Sequence, residues 1–333
     1  MAGTQAFTRV AMGKETTWGT GVAPTRRWYG VATGVLDPGL GWELHKDAAR
    51  GVKTRVGRTP TQTSEDPALK MQSAGGIGYD DLVQPFSAGL RGGQTGAGAG
   101  ADKTWTLVSQ NAATNTLSPM TVEVTDDVQG YRVAGCIPKS WEISTKLGGM
   151  TDFTMDMFGK ITTKVSAATP AEVTPVMIPA ELWTVKFATT LAGLPGASVV
   201  ANFLRTFTLH WDTGAQPRHY ADGTLQAAQF VETDMVGTLE LEVESTAQAV
   251  SEFYDKYTTL TLDFVRLKVT GPVLGGSNYS LQLDVPVYWT APEILASDDN
   301  GVNLYKVKGD IAYDATGAQS LGAVLVCSIA AIP

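Results

Sequence analysis

The stretch Gly237–Thr258, GTLELEVESTAQAVSEFYDKYT, changes its hydrophobic period partway along. Leu239, Leu241 and Val243 alternate with three glutamates, which is the two-residue period of a strand with one buried face. The residues that follow recur at the three- and four-residue steps of an amphipathic helix, namely Ala247, Val250, Phe253, Tyr254 and Tyr257. Alternation returns over Leu260–Val269. The stretch therefore predicts a strand, a crossover helix and a second strand.

The same order of elements occurs earlier in the chain. A strand at Ala68–Ser73, a helix at Gly78–Phe86 and a strand at Met120–Thr125 are predicted there. Each copy continues with a strand that contains Pro and then Trp, and with one further strand. These later strands correspond as Tyr131–Thr145 with Tyr279–Leu295 and Thr151–Gly159 with Leu304–Tyr313. Four elements repeated in one order predict an internal duplication.

The duplication predicts two tandem domains. The first covers 1–166, a Pro- and Thr-rich linker covers 167–180, and the second covers 181–333. Each domain carries one long loop ahead of its strand–helix–strand unit, at 37–67 in the first and at 212–234 in the second. We expect both loops to stand off the sheets, since neither sustains an apolar face.

Composition limits the class of protein. The 333 residues include 36 glycines and are 43% hydrophobic, which is typical of a β-rich globular chain with many turns. No apolar run reaches the length of about 18 residues that a transmembrane helix needs, and the N-terminus lacks the pattern of a signal peptide. With only Cys136 and Cys327, a disulfide framework is excluded, and we expect two buried thiols.

Charge is unevenly distributed between the two halves. Residues 1–165 hold 17 Lys and Arg against 15 Asp and Glu, whereas residues 166–333 hold 8 against 18. A protein that grips nucleic acid is expected to carry a basic stripe, and this sequence has none. The one basic concentration lies in the first long loop, and its members are Lys46, Arg50, Lys53, Arg55 and Arg58. It is either a solvated surface or a contact for an acidic neighbour.

No motif in the sequence predicts catalysis, a cofactor or a metal site. The three histidines, His45, His210 and His219, have no second ligand at metal-site spacing, and no phosphate-binding loop or nucleophile elbow is present. Acidic pairs such as Asp80–Asp81 and Asp126–Asp127 are typical of turns and helix starts. We therefore expect the protein not to be an enzyme.

Four short motifs resemble the major tail tube proteins of long-tailed, non-contractile bacteriophages. The segment Gly13–Thr25, GKETTWGTGVAPT, resembles the family's E-(T/S)-x-(Y/W)-G-T-x-x-x-P-T opening. Ser118–Glu123 (SPMTVE), the dipeptide Gly135–Cys136 and Leu281–Tyr288 (LQLDVPVY) resemble later family patterns. The resemblance covers nearly the whole chain, and it depends on the opening motif together with the order of elements.

The resemblance implies a mainly β fold and a structural role in the virion. We expect two tandem β-sandwich domains, each with one flanking helix, joined by oligomerisation into a ring-closing β-barrel. Stacked rings would form the phage tail tube, which conducts double-stranded DNA from the capsid to the host. If each chain carries two tube domains, a trimeric ring with pseudo-sixfold symmetry is favoured over a ring of six chains.

The resemblance also implies a set of partners. They are neighbouring copies of the chain, the tape-measure protein, the tail terminator, the distal tail or baseplate proteins and, in transit, DNA bound without sequence specificity. Membrane insertion is not expected. The chain is expected in the host cytoplasm during assembly and then in the virion tail. An alternative is another β-sandwich virion protein, such as a baseplate, tail-terminator or decoration module.

Two groups of residues are candidates for contacts in such a tube. Glu240, Glu242 and Glu244 lie on the polar face of their strand, so they face water either in the channel or outside the tube. The channel is where an acidic row has a use, because it repels DNA phosphates. The five basic residues of the first long loop are candidates for contacts between successive rings, together with the loop at 212–234.

Overall fold

The protein is mainly β. The computed structural model describes residues 8–28, 31–43, 46–47, 56–57, 60–73, 75–90, 96–109, 117–166, 174–299 and 301–332. We refer to 8–166 as the first half and to 174–332 as the second half. The strands of the first half are β1 (Arg9–Lys14), β2 (Arg26–Trp28), β3 (Val31–Asp37), β4 (Leu40–Glu43), β5 (Lys46–Asp47), β6 (Val56–Gly57), β7 (Thr61–Glu65), β8 (Ala68–Ser73), β9 (Lys103–Val108), β10 (Met120–Thr125), β11 (Gly130–Thr145), β12 (Thr151–Phe158) and β13 (Ile161–Val165).

The second half is built in the same way. Its strands are β14 (Trp183–Ala188), β15 (Leu204–Asp212), β16 (Ala215–Arg218), β17 (Gln229–Glu232), β18 (Val236–Glu244), β19 (Asp263–Leu274), β20 (Ser277–Asp299), β21 (Val302–Ile311) and β22 (Gly322–Cys327). Each half has one helical crossover. The first is α1 (Val83–Gly89), which follows a 3₁₀ turn at Asp80–Leu82. The second runs through α2 (Ala247–Ala249), a π-helical stretch at Val250–Asp255 and α3 (Lys256–Thr259).

Sixteen strands form one hydrogen-bonded sheet system that runs through both halves. Its main path is β14-β19-β20-β21-β18-β15-β11-β10-β1-β2, and β14 and β2 are its ends. Within the described residues of one chain the system does not close into a barrel. The expected barrel could therefore form only by pairing between chains.

The strand pairing of the first half recurs in the second. In the first half β3, β8, β12, β11, β10 and β1 pair in that order, and β13 adds to β11. In the second half β15, β18, β21, β20, β19 and β14 pair in that order, and β22 adds to β20. Every one of these pairs is antiparallel. Each of these seven strands of the first half thus has a counterpart in the second half that occupies the same place in the pairing order.

Two joins connect the halves within one chain. β11 pairs with β15 over five positions, from Ser140 opposite Asp212 to Ser144 opposite Thr208. β9 pairs with β22 and, within the described residues, with no strand of its own half, so a strand of the first half extends the sheet of the second half. One hydrophobic core runs beneath both joins, with Trp105, Trp141, Trp211 and Trp289 among its fully buried side chains.

The predicted strands agree closely with the observed ones, because their alternation reflects a sheet with one buried face. Leu239, Leu241 and Val243 are all buried, as their period predicts. The prediction for the second helix is only partly correct. Phe253 is buried, whereas Val250, Tyr254 and Tyr257 are 38%, 42% and 38% exposed. The π-helical stretch changes the angular spacing of side chains there, so the predicted stripe does not lie on one buried face.

The described part of the predicted linker, residues 174–180, is bonded to the first half. The Ile178 amide donates to the Ile77 carbonyl at 3.0 Å, and the Thr151 amide donates to the Ile178 carbonyl at 2.8 Å. The Tyr79 amide donates to the Val176 carbonyl at 3.0 Å. Ile178 is fully buried. This segment therefore fills a gap beside the ends of β8 and β12. Residues 167–173 lie outside the described residues.

Candidate channel-lining face and subunit contacts

One surface of the sheet system carries polar side chains along its whole width. We call this surface the polar face; it spans β8, β12, β11, β15, β18 and β21. Apolar side chains alternate with it and point into the core, because successive residues of a strand face opposite ways. Its charged members among the described residues are Lys70, Glu142, Asp152, Asp156, Arg205, Asp212, Glu240, Glu242, Glu244, Lys306, Lys308 and Asp310. Carboxylates outnumber basic side chains, so the face is acidic.

The polar face is concave in two places. A depression of about 380 Å³ lies over β15, β18 and β21, and Thr206, Glu240 and Lys308 contribute to its wall. A second of about 280 Å³ lies over β8, β12 and β11, between Lys70 and Glu142. The strands β8 and β12 under the second depression are the counterparts of β18 and β21 under the first.

Glu240, Glu242 and Glu244 all lie on the polar face, and each has a cation nearby. Glu240 accepts a hydrogen bond from Lys308 Nζ at 2.8 Å, across the β18–β21 pair. Glu242 accepts from the Thr206 hydroxyl at 3.1 Å and lies 3.8 Å from Lys306 Nζ. Glu244 Oε1 lies 3.4 Å from Arg205 Nε. The sequence predicted an acidic row on this face, and the structure adds a basic group beside every member.

The first long loop begins as a two-stranded hairpin. β4 pairs with β7, and Lys46 and Asp47 of β5 pair with β6 further out. Of the five basic candidates for ring contacts, only Lys46 lies among the described residues, and its backbone pairs with Gly57. Arg50, Lys53, Arg55 and Arg58 lie outside the described residues, as does His45.

The second long loop is also a hairpin, formed by β16 and β17, and it packs onto the first half of its own chain. Ala215 is buried in a cluster with Leu117, Ile137 and Phe158. Phe230 contacts Trp18 edge to face, with ring centroids 5.6 Å apart. The sequence suggested that this loop has no apolar face to bury, and the structure shows that it has one.

The two long loops also contact each other. The Glu65 amide donates to the Leu225 carbonyl at 2.9 Å, and Gln226 Nε2 donates to the Glu65 carboxylate at 3.0 Å. His219 Nε2 lies 2.7 Å from Asp66 Oδ1. These contacts tie the base of the first long loop to the second.

The opening motif is anchored by the buried carboxylate of Glu15. It accepts hydrogen bonds from the Gly135 amide at 2.7 Å, the Thr121 hydroxyl at 2.7 Å and the Gly19 amide at 2.8 Å. Burial raises the pKa of Glu15 above its usual value, although these bonds act in the opposite direction. Trp18 Nε1 donates to the Gly135 carbonyl at 2.9 Å. Gly135 has φ +72°, a conformation that favours glycine. The motif therefore locks the chain after β1 onto β10 and β11.

The titratable groups that could suggest chemistry have structural roles. Asp80 accepts from the Ser328 amide and hydroxyl, which ties the C-terminal segment to the first crossover. Asp126 closes a turn by accepting from the Val128 and Gln129 amides. Cys136 and Cys327 are free and buried, and burial raises the pKa of Cys327 to about 12. Among the described residues, no cluster of three or more His, Cys, Asp or Glu could hold a metal ion.

No helix in the described part of the chain is long and apolar enough to cross a membrane. The repeated antiparallel pairing and the acidic polar face define a mainly β structural protein. A family model described as phage tail tube protein matches residues 7–304. The chain therefore belongs to the phage tail tube protein family. No curated protein matches the sequence.

Membership fixes the broad role of the chain. It is a structural protein of a bacteriophage virion, it is located in the tail, and it assembles with other subunits into a tube. Its family is a structural one, which agrees with the expectation that the protein is not an enzyme.

Proposed function

We propose that the chain polymerises as stacked rings into the tube that conducts double-stranded DNA from the capsid to the host. The observation that carries this proposal is the pair of sheet edges left by the repeated strand pairing. In the described residues β3 pairs only with β8, and β20 beyond Trp289 pairs only with β21. Their counterparts in the other half, β15 and β11, pair with each other.

The β11–β15 join is thus a template for a join between chains. β20 of one copy takes the place of β11, and β3 of the next copy takes the place of β15. Pro138 and Pro286 are counterparts, so Tyr288 corresponds to Ser140. The register of the join between chains is then taken from the β11–β15 pair. Tyr288 of one copy lies opposite Asp37 of the next, and Trp289 lies opposite Leu36. Such pairing satisfies the backbone groups that an open edge leaves unpaired.

Repetition of this join closes a ring. Each half acts as one tail-tube domain, so the tandem domains of three chains supply the six quasi-equivalent units of the ring. The join is heterologous, since two different edges meet, and heterologous contacts close into rings when the rotation permits. The recurrence of the pairing pattern in the two halves supports three chains over six.

In this ring the polar face lines the channel, with Glu240, Glu242 and Glu244 on its wall. The excess of carboxylates keeps the DNA backbone from adhering, and the paired lysines limit repulsion within the wall. A basic wall would instead bind phosphates with release of counterions and slow the exit of DNA.

The outer part of the first long loop contacts the adjacent ring through Lys46, Arg50, Lys53, Arg55 and Arg58. Its short β5–β6 pairing supports an extension away from the sheet. The further partners are the tape-measure protein within the tube, the terminator at one end and the distal tail or baseplate proteins at the other. Assembly takes place in the host cytoplasm.

A cysteine pair tests the ring. We expect Tyr288→Cys with Asp37→Cys to give covalent multimers up to a trimer on a non-reducing gel once rings form. Tyr288→Cys with Lys70→Cys is the matched control, because Lys70 lies one strand further from the join and stays unlinked. Electron microscopy of the same tubes counts chains. Six identical chains in each ring, or no multimers from the first pair in assembled tubes, would overturn the proposal.

A further inference from the structure

The two long loops leave their sheets through the same turn. Asp37-Pro38-Gly39 follows β3, and Asp212-Thr213-Gly214 follows β15. Asp37 accepts from the Gly39 amide at 2.9 Å, and Asp212 accepts from the Gly214 amide at 2.8 Å. Both glycines adopt the left-handed backbone conformation, with φ +62° and +70°. Leu40 and Ala215, which come next, are therefore counterparts at the base of the first hairpin (β4 with β7) and of the second hairpin (β16 with β17).

These counterparts differ sharply in burial. Ala215 is 1% exposed, whereas Leu40 is 44% exposed. Trp42, two residues further along the first hairpin, is 56% exposed. The second hairpin is packed onto the first half. The first hairpin is bonded to its own half through Glu65, which accepts from the Thr162 amide at 3.3 Å, but a groove of about 570 Å³ lies between it and the sheet. Leu36, Leu40 and Tyr131 contribute to the wall of this groove.

Side-chain sizes indicate what covers Leu40. Ala215 lies in one cluster with Phe158, the last residue of β12. Asp156 lies opposite Ser140, and Asp310 lies opposite its counterpart Tyr288, so the two aspartates correspond. Phe158 and Ala312 each lie two residues after these aspartates and are therefore counterparts as well. The large residue and the small one have exchanged places. Phe158 meets Ala215 within the chain, and Leu40 has the volume to fill the space that Ala312 leaves.

We propose that the first hairpin docks, through Leu40 and Trp42, onto the second half of the neighbouring copy beside Ala312. This inference rests on the proposed ring, in which β3 of one copy pairs with β20 of the next. Because the first hairpin follows β3 directly, this pairing brings it close to Ala312 of the neighbouring copy. Tyr313, adjacent to Ala312, is 44% exposed and supplies an aromatic partner for Trp42. The partner is a second copy of this chain. The first hairpin thus packs onto the second half of the neighbouring chain, as the second hairpin packs onto the first half of its own chain.

A double-mutant cycle tests the exchange of sizes. We expect Leu40→Ala to raise the critical concentration for tube assembly at least tenfold, because it leaves a cavity at the contact. Ala312→Leu should raise it as well, because it overfills the contact. The double variant should restore assembly to within about threefold of wild type, well inside the tenfold loss of either single change. Val128→Ala, which shortens a 55% exposed apolar side chain in the turn between β10 and β11, is the control and should leave assembly unchanged.

Folding and ring formation are measured on the same samples. Leu40 and Ala312 are not in the core, so each variant should melt as a monomer within about 2 °C of wild type. Additive effects in the cycle, in tubes whose Tyr288–Asp37 cysteine pair still cross-links, would overturn the docking contact and leave the ring intact. Absence of the Tyr288–Asp37 cross-link in tubes that carry no change at Leu40 or Ala312 would overturn the proposed ring, and this inference with it.

Discussion

Trp141 of β11 lies directly opposite Trp211 of β15, in the strand pair that joins the two halves. Each is 1% exposed. Trp141 also stacks on Phe153 and contacts Phe86, so the join continues into the core beneath the first crossover. Burial of two facing indoles makes the join part of the core and not a hinge. Trp289, the counterpart of Trp141, reaches the edge that we assign to the next copy.

Removal of Trp211 should therefore destabilise the whole chain. We expect Trp211→Ala to lower the free energy of unfolding by about 3–5 kcal/mol, the usual cost of truncating a buried aromatic. Trp42→Ala is the matched control, since its exposed indole should change the free energy of monomer unfolding by less than about 0.5 kcal/mol. Urea denaturation of the monomer measures both. Equal effects of the two substitutions would contradict the assignment of Trp211 to the core of the join.

The opening motif offers a second prediction. Glu15→Ala removes the acceptor for two backbone amides and one hydroxyl, so it should lower the free energy of unfolding by about 3 kcal/mol. Glu15→Gln should cost less, because one amide oxygen can still accept from Gly135 and Thr121. Glu181→Ala, at an exposed acidic position, should have little effect. Thermal melts of the three variants rank them, and a loss for Gln as large as that for Ala would argue against this bonding scheme.

Asp263, in the interior of the second half, should make the free energy of unfolding depend on pH. Burial raises the pKa of Asp263 to about 6 from a model-peptide value of 3.8. The carboxylate binds Lys256 at 2.6 Å and Trp289 Nε1 at 3.1 Å. Since the folded pKa is the higher one, the stabilising contribution of protonation is complete below pH 3.8 and is lost as pH rises to about 6.

Asp263→Asn should remove that dependence. We expect the wild-type free energy of unfolding to contain a component that falls by no more than about 3 kcal/mol across this window, and the variant to lack it. Asp310→Asn, at an exposed position of the polar face, is the control that should keep the wild-type slope. Denaturation at several pH values from 4 to 7 measures the slopes. An unchanged slope in Asp263→Asn would assign the dependence to other groups.

How far the sequence could predict this structure depends on how local each feature is. The strands β8, β10, β12 and β18 could be predicted because alternation is encoded within each segment. The β11–β15 join could not, since it brings together strands that are about seventy positions apart in the chain, and no local pattern records such a partner. The paired tripeptides Asp37-Pro38-Gly39 and Asp212-Thr213-Gly214 were the signal that would have matched the two hairpins.

The acidic row shows the same limit at the level of side chains. The sequence correctly predicts that Glu240, Glu242 and Glu244 share the polar face of β18. It does not predict the cations opposite them, because the β18–β21 and β15–β18 registers decide which residues meet. Lys306 and Lys308 are more than sixty positions further along the chain. The polar face therefore carries paired charges with an excess of carboxylates, and a test of the proposed channel lining has to change the two members of each pair separately.

Neutralising the two sides of these pairs separately should distinguish a channel wall from an outer surface. Glu240→Gln, Glu242→Gln and Glu244→Gln together leave Lys306, Lys308 and Arg205 facing the channel without their carboxylates. We expect tubes to assemble and DNA ejection from phage particles to slow, because the exposed cations bind phosphates. The effect should weaken at higher salt, where exposed charges are screened.

The matched control neutralises the lysines of two of these pairs instead of the glutamates. Lys306→Gln with Lys308→Gln makes the face more acidic, and it should not slow ejection, although it disturbs two of the same contacts. A general effect of breaking pairs would slow ejection in both variants. If neither variant changes ejection at low salt, while tubes form normally, the polar face lies on the outside of the tube. The sign of the charge that remains, and not the loss of the pair, is what should govern the passage of DNA.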